Sequence, residues 1–338
     1  MTKRIRPFIA LLIIAFISPC VQGAGSVRAI TKGEYLQNCL SLISQTTRSI
    51  DIATLTFDND TITSRIKDAL YQAINRGVKV RIILDDSTIE KNQALIDELR
   101  QVGIPVKIDG PRRTLHAKVI IGDNRMVLFG STNLGITSIT LNNEADLFVD
   151  DGDTGKAFGE YFEELWHDPD RKARFPAAIS SGVIVPLNSF DYSRMVLRQI
   201  KGAKKRVLVV MYDARSYPAS ANNPTSAIFM ALVTAQLRGA DVRVILEKSD
   251  YDMKLAASNS ATAALLAANN VQVRSDRLDA ITHAKLVVAD DSVLVGSSNW
   301  NARSLQVNNE ANASVTNPGV TDAFSRYFEN LWEESAKH

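Results

Sequence analysis

Cysteine is almost missing: Cys20 and Cys39 are the only two in 338 residues, so this fold is not stapled by disulfides. An excess of one charge is missing too, with 39 Lys and Arg against 37 Asp and Glu. Such a balance neither advertises nor excludes a nucleic-acid partner. No apolar run is long enough to span a bilayer, which takes about 20 residues; Phe8 to Ile17 is an unbroken stretch of ten. Histidine is scarce, at four residues: His116, His167, His283 and His338.

The ten-residue run has a basic start (Lys3, Arg4, Arg6) and small residues after it (Gly23, Ala24, Gly25). Residues 1–24 therefore read as an export signal. Its removal takes away three basic residues and Cys20, leaving 36 basic against 37 acidic and a single thiol. Cys39, among Leu36, Leu40 and Ile43, reads as a buried small hydrophobe. Export without a disulfide fits a periplasmic or secreted protein.

What the chain does contain is one sentence written twice. His116 to Glu144 reads HAKVIIGDNRMVLFGSTNLGITSITLNNE, and His283 to Glu310 reads HAKLVVADDSVLVGSSNWNARSLQVNNE. Each copy opens His-Ala-Lys, runs through an apolar strand to an Asp and returns to Gly-Ser-x-Asn. Each ends on a Glu eleven residues beyond that Asn. Six residues separate Asp123 from Gly130 and five separate Asp290 from Gly296, a difference that falls in the polar turn, where loops tolerate it.

The surroundings repeat as well. Arg48–Phe57 reads as a strand, Thr61–Arg76 as a helix closed by Gly77, and Val78–Leu84 as a strand apolar enough for a doubly covered sheet. Lys205–Tyr212, Thr225–Arg238 with Gly239, and Val242–Leu246 follow the same order. The closing helices match aromatic for aromatic: Phe158, Tyr161, Phe162 and Trp166 recur as Phe324, Tyr327, Phe328 and Trp332. Their helical spacing makes them core. Residues 25–168 and 190–338 are thus two lobes, with a Pro-containing connector at 169–189. The largest asymmetry is the polar stretch Asp213–Ser226. His167 ends a helix, and His338 ends the chain.

In each copy His and Lys lie two apart on a strand and point to one face. Lys, Ser and Asn together suit phosphate oxygens. Two copies face to face put an imidazole on either side of one phosphorus, as in-line displacement requires. The twofold pattern resembles the phospholipase D superfamily, whose signature is His-x-Lys-x4-Asp followed by Gly-Ser-x-Asn. The resemblance implies an α/β fold: two pseudo-twofold-related lobes, each a mixed sheet flanked by helices, packed into one bilobal unit.

The resemblance also implies a phosphoric diester hydrolase of phospholipase D type, using His116, Lys118, Asp123, His283, Lys285 and Asp290. It makes His116 the nucleophile forming a phosphohistidine and His283 the acid/base. Ser131, Asn133, Ser297 and Asn299 are expected on the phosphate, and Glu144 and Glu310 on the rear nitrogen of each His. Asp123 and Asp290 also begin tight turns, which Asp favours on its own account. No metal or other cofactor is implied, because the two lysines neutralise phosphate. A single chain carries both motifs, so a monomer suffices.

The expected partner is a phospholipid, with peripheral membrane contact; nucleic acid is the alternative, and a phosphate-binding protein without turnover is a third reading. Trp300 is a candidate for stacking on a base or meeting an acyl chain. Arg112 and Arg113, and the cluster Lys201, Lys204, Lys205 and Arg206, are candidates for a nucleic-acid backbone or plain solvated faces.

Overall fold

A computed structural model describes residues 25–176, 183–217 and 223–337. The expected export signal lies outside the described residues. The first lobe runs β1 (Ser26–Ile30), α1 (Tyr35–Gln45), β2 (Ser49–Thr54), α2 (Thr63–Asn75), β3 (Lys79–Leu84), α3 (Ile89–Gln101) and β4 (Val106–Ile108). It continues with β5 (Lys118–Gly122), β6 (Met126–Gly130), α4 (Ile136–Thr140), β7 (Asp146–Asp150) and α5 (Gly152–His167).

The second lobe follows as β8 (Ile184–Leu187), α6 (Ser189–Gly202), β9 (Arg206–Met211), α7 (Pro224–Leu237), β10 (Asp241–Leu246), α8 (Met253–Ala267) and β11 (Gln272–Ser275). It ends with β12 (Lys285–Ala289), β13 (Ser292–Gly296), α9 (Ala302–Gln306), β14 (Asn312–Val315), α10 (Pro318–Glu334) and β15 (Ala336–Lys337).

The sheets are ordered β1-β7-β6-β5-β2-β3-β4 and β15-β11-β10-β9-β12-β13-β14-β8. In each, three parallel strands joined by helices continue into an antiparallel meander that carries the repeated motif. The stretch 169–189, expected only to connect, supplies β8 to the edge of the second sheet. No strand period marks that stretch because Pro186 interrupts a four-residue strand, tolerable only at an edge. Gly77 and Gly239 end α2 and α7 in the left-handed conformation (φ +86° and +93°), closing each helix with a backbone bond to the residue three before it (2.8 and 2.9 Å).

Both sheets are buried on two sides, and the alternation of side chains sorts each strand into two cores. On β5, Val119 and Ile121 join a central cluster while Ile120 faces an outer one. On β12, Leu286 and Val288 face the centre and Val287 faces outwards. The central cluster is shared between lobes: Phe129, Phe158, Tyr161 and Phe162 pack in it with Val293, Val295, Phe324 and Phe328. The aromatics of the closing helices are thus core, as their spacing predicts, and Cys39 is fully buried. His167 is an exposed helix end beside Glu163.

Each lobe also ties its sheet to its closing helix with one arginine. Arg81 bonds Asp51 (2.7 Å) and Glu163 (2.6 Å) and lies over the Phe162 ring. Arg243 bonds Asp241 (3.0 Å) and Glu329 (2.7 Å) over Phe328. Among the described residues no helix is long and apolar enough to cross a membrane.

A shared central core makes the lobes interdependent. Residues 25–168 expressed alone should therefore expose the inner face of β5 and β6, bind a hydrophobic dye such as ANS and self-associate, where the full chain does neither. A monodisperse first lobe with no dye binding would contradict the shared core.

Candidate active site

The two motifs meet because each docks its approach segment on the other. The amides of His116 and Ala117 both donate to the Asn309 carbonyl (2.9 Å each), and the Asn309 amide donates to the Thr114 carbonyl (2.9 Å). In the mirror arrangement His283 and Ala284 donate to the Asn143 carbonyl (3.0 and 2.9 Å), and Asn143 donates to the Ile281 carbonyl (2.8 Å). Asn143 and Asn309 immediately precede the two repeated glutamates.

The side chains cross in the same way. His116 Nδ1 lies 2.9 Å from Glu310 Oε2, and His283 Nδ1 lies 3.0 and 3.1 Å from the two oxygens of Glu144. Each glutamate therefore braces the histidine of the opposite lobe. A carboxylate on Nδ1 fixes the proton there and leaves the Nε2 lone pair for chemistry.

Burial sets the charges. It holds both imidazoles below their ordinary range, His283 down to about 4, against the opposing pull of the glutamates. Burial also drops Lys118 to about 8 and Lys285 to about 7. It pushes the carboxyls of Glu144 and Glu310 up, but the facing His, the lysines and the motif serines outweigh it, and both end below the usual carboxylate range. Each lysine donates to its own histidine's carbonyl, Lys118 at 2.5 Å. The resting site holds two carboxylates, two lysines poised near neutrality and two neutral imidazoles.

Several residues stand elsewhere than the sequence suggests. Ser131 and Ser297, expected on the phosphate, are fully buried and donate their hydroxyls to Glu144 and Glu310 (2.5 Å each). Each hydroxyl also accepts a backbone amide (2.9 and 3.0 Å), so both brace a carboxylate. Asp123 and Asp290, counted with the catalytic groups, sit at the far ends of β5 and β12, about 17 Å from the lysines at about 3.3 Å per residue. Asp123 accepts the amides of Thr47, Arg48 and Ser49. Asp290 accepts those of Lys204, Lys205 and Arg206.

Trp300 is fully buried against Phe229 and donates to the Tyr192 hydroxyl (3.3 Å), so it meets neither base nor acyl chain. Gly130 and Gly296 do permit a close approach, since a Cβ there would lie 2.5 Å from the carbonyl oxygens of Ala145 and Ala311. Asn133 and Asn299 each hold a buried side-chain oxygen with no partner among the described residues.

Three features escape a motif search. Asp85 and Glu247 accept the amides of Leu115 and Thr282 (2.6 Å each), the residues just before the two histidines. They occupy matching places in RIILD (81–85) and RVILE (243–247), so aligning the halves beyond the signature would have found them. Asp109 and Asp276 stand behind them; burial pushes Asp109 up to about 8 and Glu247 up to about 7. The carboxylates of Asp85, Asp86 and Asp109 lie within 4.8 Å of one another, but the Asp85 oxygens are taken by Ser87 and Leu115.

The third feature is Tyr212, whose ring meets His283 edge-on at 4.7 Å and carries the Lys285 ammonium over its face at 4.7 Å. Strand register puts Leu55 at the matching place in the first lobe.

The family described as cardiolipin synthase, PLD-like domain, matches the chain twice, over residues 39–166 and 196–332. The chain belongs to the phospholipase D superfamily. It is 34% identical over 131 residues to the mitochondrial cardiolipin hydrolase of Chlamydomonas reinhardtii, covering 39% of this chain and 57% of that protein. It is 40% identical over 88 residues to the phospholipase D of Rickettsia prowazekii, covering 26% of this chain and 43% of that protein. The chain thus spans about half the length of the curated relatives it matches. The crystal structure of phosphatidylserine synthase from Haemophilus influenzae superposes with a TM-score of 0.74 at 13% identity, covering 92% of this chain and 87% of that one. At that identity the likeness is one of fold, and it extends the bilobal plan of the superfamily to both halves.

Two outcomes follow. Asp290→Ala removes three backbone hydrogen bonds to a carboxylate and should cost about 2–3 kcal/mol of stability, read as a lower urea midpoint, with turnover per folded molecule retained; a large loss of turnover at unchanged midpoint would return Asp290 to the chemistry. Anion binding should also take up protons at pH 8. Lys285 at about 7 and Lys118 at about 8 are then partly neutral, and a bound anion raises both, so the complex holds more protons than the free protein. Calorimetric titration with sulfate, which has no proton to exchange at that pH, in two buffers of different ionisation enthalpy reads the uptake and its sign.

Proposed function

We propose that the chain is an exported phosphodiesterase that cleaves phospholipid head-group phosphodiesters through a covalent phosphohistidine. The observation that carries this is the crossed His–Glu pair, in which each carboxylate takes Nδ1 of the opposite histidine and, among the described residues, leaves Nε2 without a partner. In the first step His116 Nε2 attacks phosphorus, the P–N bond forms and the P–O bond to the leaving alcohol breaks, while His283, protonated once the phosphate is bound, donates its proton to that alcohol. In the second, His283 takes a proton from water, the water oxygen attacks phosphorus and the P–N bond breaks. An alcohol in place of water gives transfer of the phosphatidyl group.

Lys118, Lys285, Asn133 and Asn299 hold the non-reacting oxygens, and Glu144 and Glu310 stabilise each imidazolium as it forms. Lipid is favoured over nucleic acid by the near-neutral charge and by relatives named cardiolipin hydrolase and phospholipase D. Export rests on the basic, then apolar, composition of residues 1–24. With both motifs in one chain, a monomer is sufficient.

The test is turnover by the purified protein, in chelator, on mixed phospholipid vesicles and on DNA in parallel, with His116→Ala as the blank. Phosphatidic acid should appear with the DNA intact; nicked DNA with intact lipid would replace this reading with a nuclease. The two imidazoles are separated by a 4-nitrophenyl phosphodiester, whose leaving group needs no acid. His283→Ala should then release nitrophenol in a burst and leave the phosphoryl adduct on His116, seen by mass spectrometry after an alkaline quench. An adduct on His283 in His116→Ala would reverse the roles.

A further inference from the structure

Away from the histidines, a groove of about 650 Å³ lies between residues 174–176, strand β8 and helix α6. Three guanidiniums line it, from Arg174, Arg194 and Arg198, against one carboxylate, Asp191. Some exposed arginines elsewhere are spent on acids, as Arg125 is on Asp150, Arg171 on Glu164 and Arg277 on Asp279. Among the described residues none of the three groove guanidiniums is so paired. Arg194 instead stacks over the Phe190 ring at 5.7 Å.

Apolar side chains also line the groove. Val185 and Met195 line it, Val185 is 37% exposed, and Phe190, one turn before Arg194 on α6, is 53% exposed. Unpaired guanidiniums suit phosphate oxygens, but free phosphate or a nucleic-acid backbone gains nothing from exposed aliphatic side chains. An aromatic ring and arginines one helical turn apart (Phe190, Arg194, Arg198) describe a helix face suited to an anionic lipid surface.

We propose that this groove is a second, non-catalytic site for the phosphate of an anionic phospholipid in a bilayer, its acyl chain lying along Val185 and Met195. The proposal deepens the phosphodiesterase reading and rests on it for bringing the chain to a membrane. Helix α6, which lines the groove, is linked to the catalytic centre by two hydrogen bonds. Ser189, at the start of α6, donates to the Asn308 carbonyl (2.6 Å), and the Asn308 amide reaches Glu310 Oε1 (3.2 Å), the carboxylate that braces His116.

The experiment is co-sedimentation of the full chain carrying His116→Ala with phosphatidylcholine vesicles, with and without phosphatidic acid. Binding should need phosphatidic acid. Arg194→Gln with Arg198→Gln should weaken it about thirtyfold, each arginine near an anionic surface being worth about 1 kcal/mol. The same pair placed in the unsubstituted chain should leave turnover of a soluble nitrophenyl diester unchanged, which shows that the fold and the cleft are intact.

Vesicle binding unaltered by the pair would overturn the proposal. So would full competition by inorganic phosphate, which marks a free-phosphate site, or loss of DNA retention with vesicle binding intact, which marks a nucleic-acid face. Arginine-dependent vesicle binding by a chain that turns over no lipid would support the groove and retire the phosphodiesterase reading alone.

Discussion

Everything at the centre of this molecule depends on two carboxylates that serve the opposite half. Glu310 holds His116 and Glu144 holds His283, so neither repeat contains a finished catalytic unit. A buried carboxylate without its partner is costly, several kcal/mol where charge is left uncompensated. The same is true of the pair of asparagine carbonyls that anchor the histidine backbones across the interface. The lobe contact and the chemistry are thus one set of interactions, and the energy that holds the halves together also fixes the imidazoles.

The charge balance within that contact explains how it tolerates burial. Two lysines, two glutamates and two histidines are withdrawn from water together. With both imidazoles neutral and both lysines charged the centre sums to zero, which is the cheapest state for a low-dielectric site. A phosphodiester arriving there brings one negative charge and favours a proton on one imidazole. The ordinary objection to a general acid whose pKa lies well below neutrality therefore applies to the free protein and is met by the substrate's own charge. Lys118 and Lys285, poised near neutral pH, respond in the same direction.

Much of this was legible in the sequence because the repeat fixes a plan that periodicity can then fill. Strands such as Val78–Leu84 and helices such as Thr61–Arg76 appear within a residue or two of their expected bounds. The failures have physical causes. Ser131 and Ser297 sit in a phosphate-suited motif, but a hydroxyl one strand from a buried carboxylate is captured by it. Trp300 replaces a leucine, which signals packing volume as readily as stacking, and its ring fills the outer core. Crossing of the glutamates is a three-dimensional fact that spacing within one repeat cannot contain. Tyr212 has no motif; only the register of β9 against β12 places it on His283 and shows Leu55 as its counterpart.

The signature aspartates show why a motif should be read along the strand as well as by its chemistry. His116 and Lys118 stand at one end of β5, and Asp123 stands at the other, with φ +57°, a left-handed conformation that Asp accepts at a turn. Its carboxylate gathers three successive amides at the start of β2, the strand that pairs with β5 and ends beside Lys118. Asp290 does the same for β9 and β12. The carboxylate therefore reinforces the register of the two strands whose far ends meet at the lysine. An error of one residue there would turn Lys118 to the other face of the sheet. The aspartate keeps company with the catalytic groups in sequence because it stabilises the strand pairing on which the lysine's place rests, and it does so without contact with the substrate.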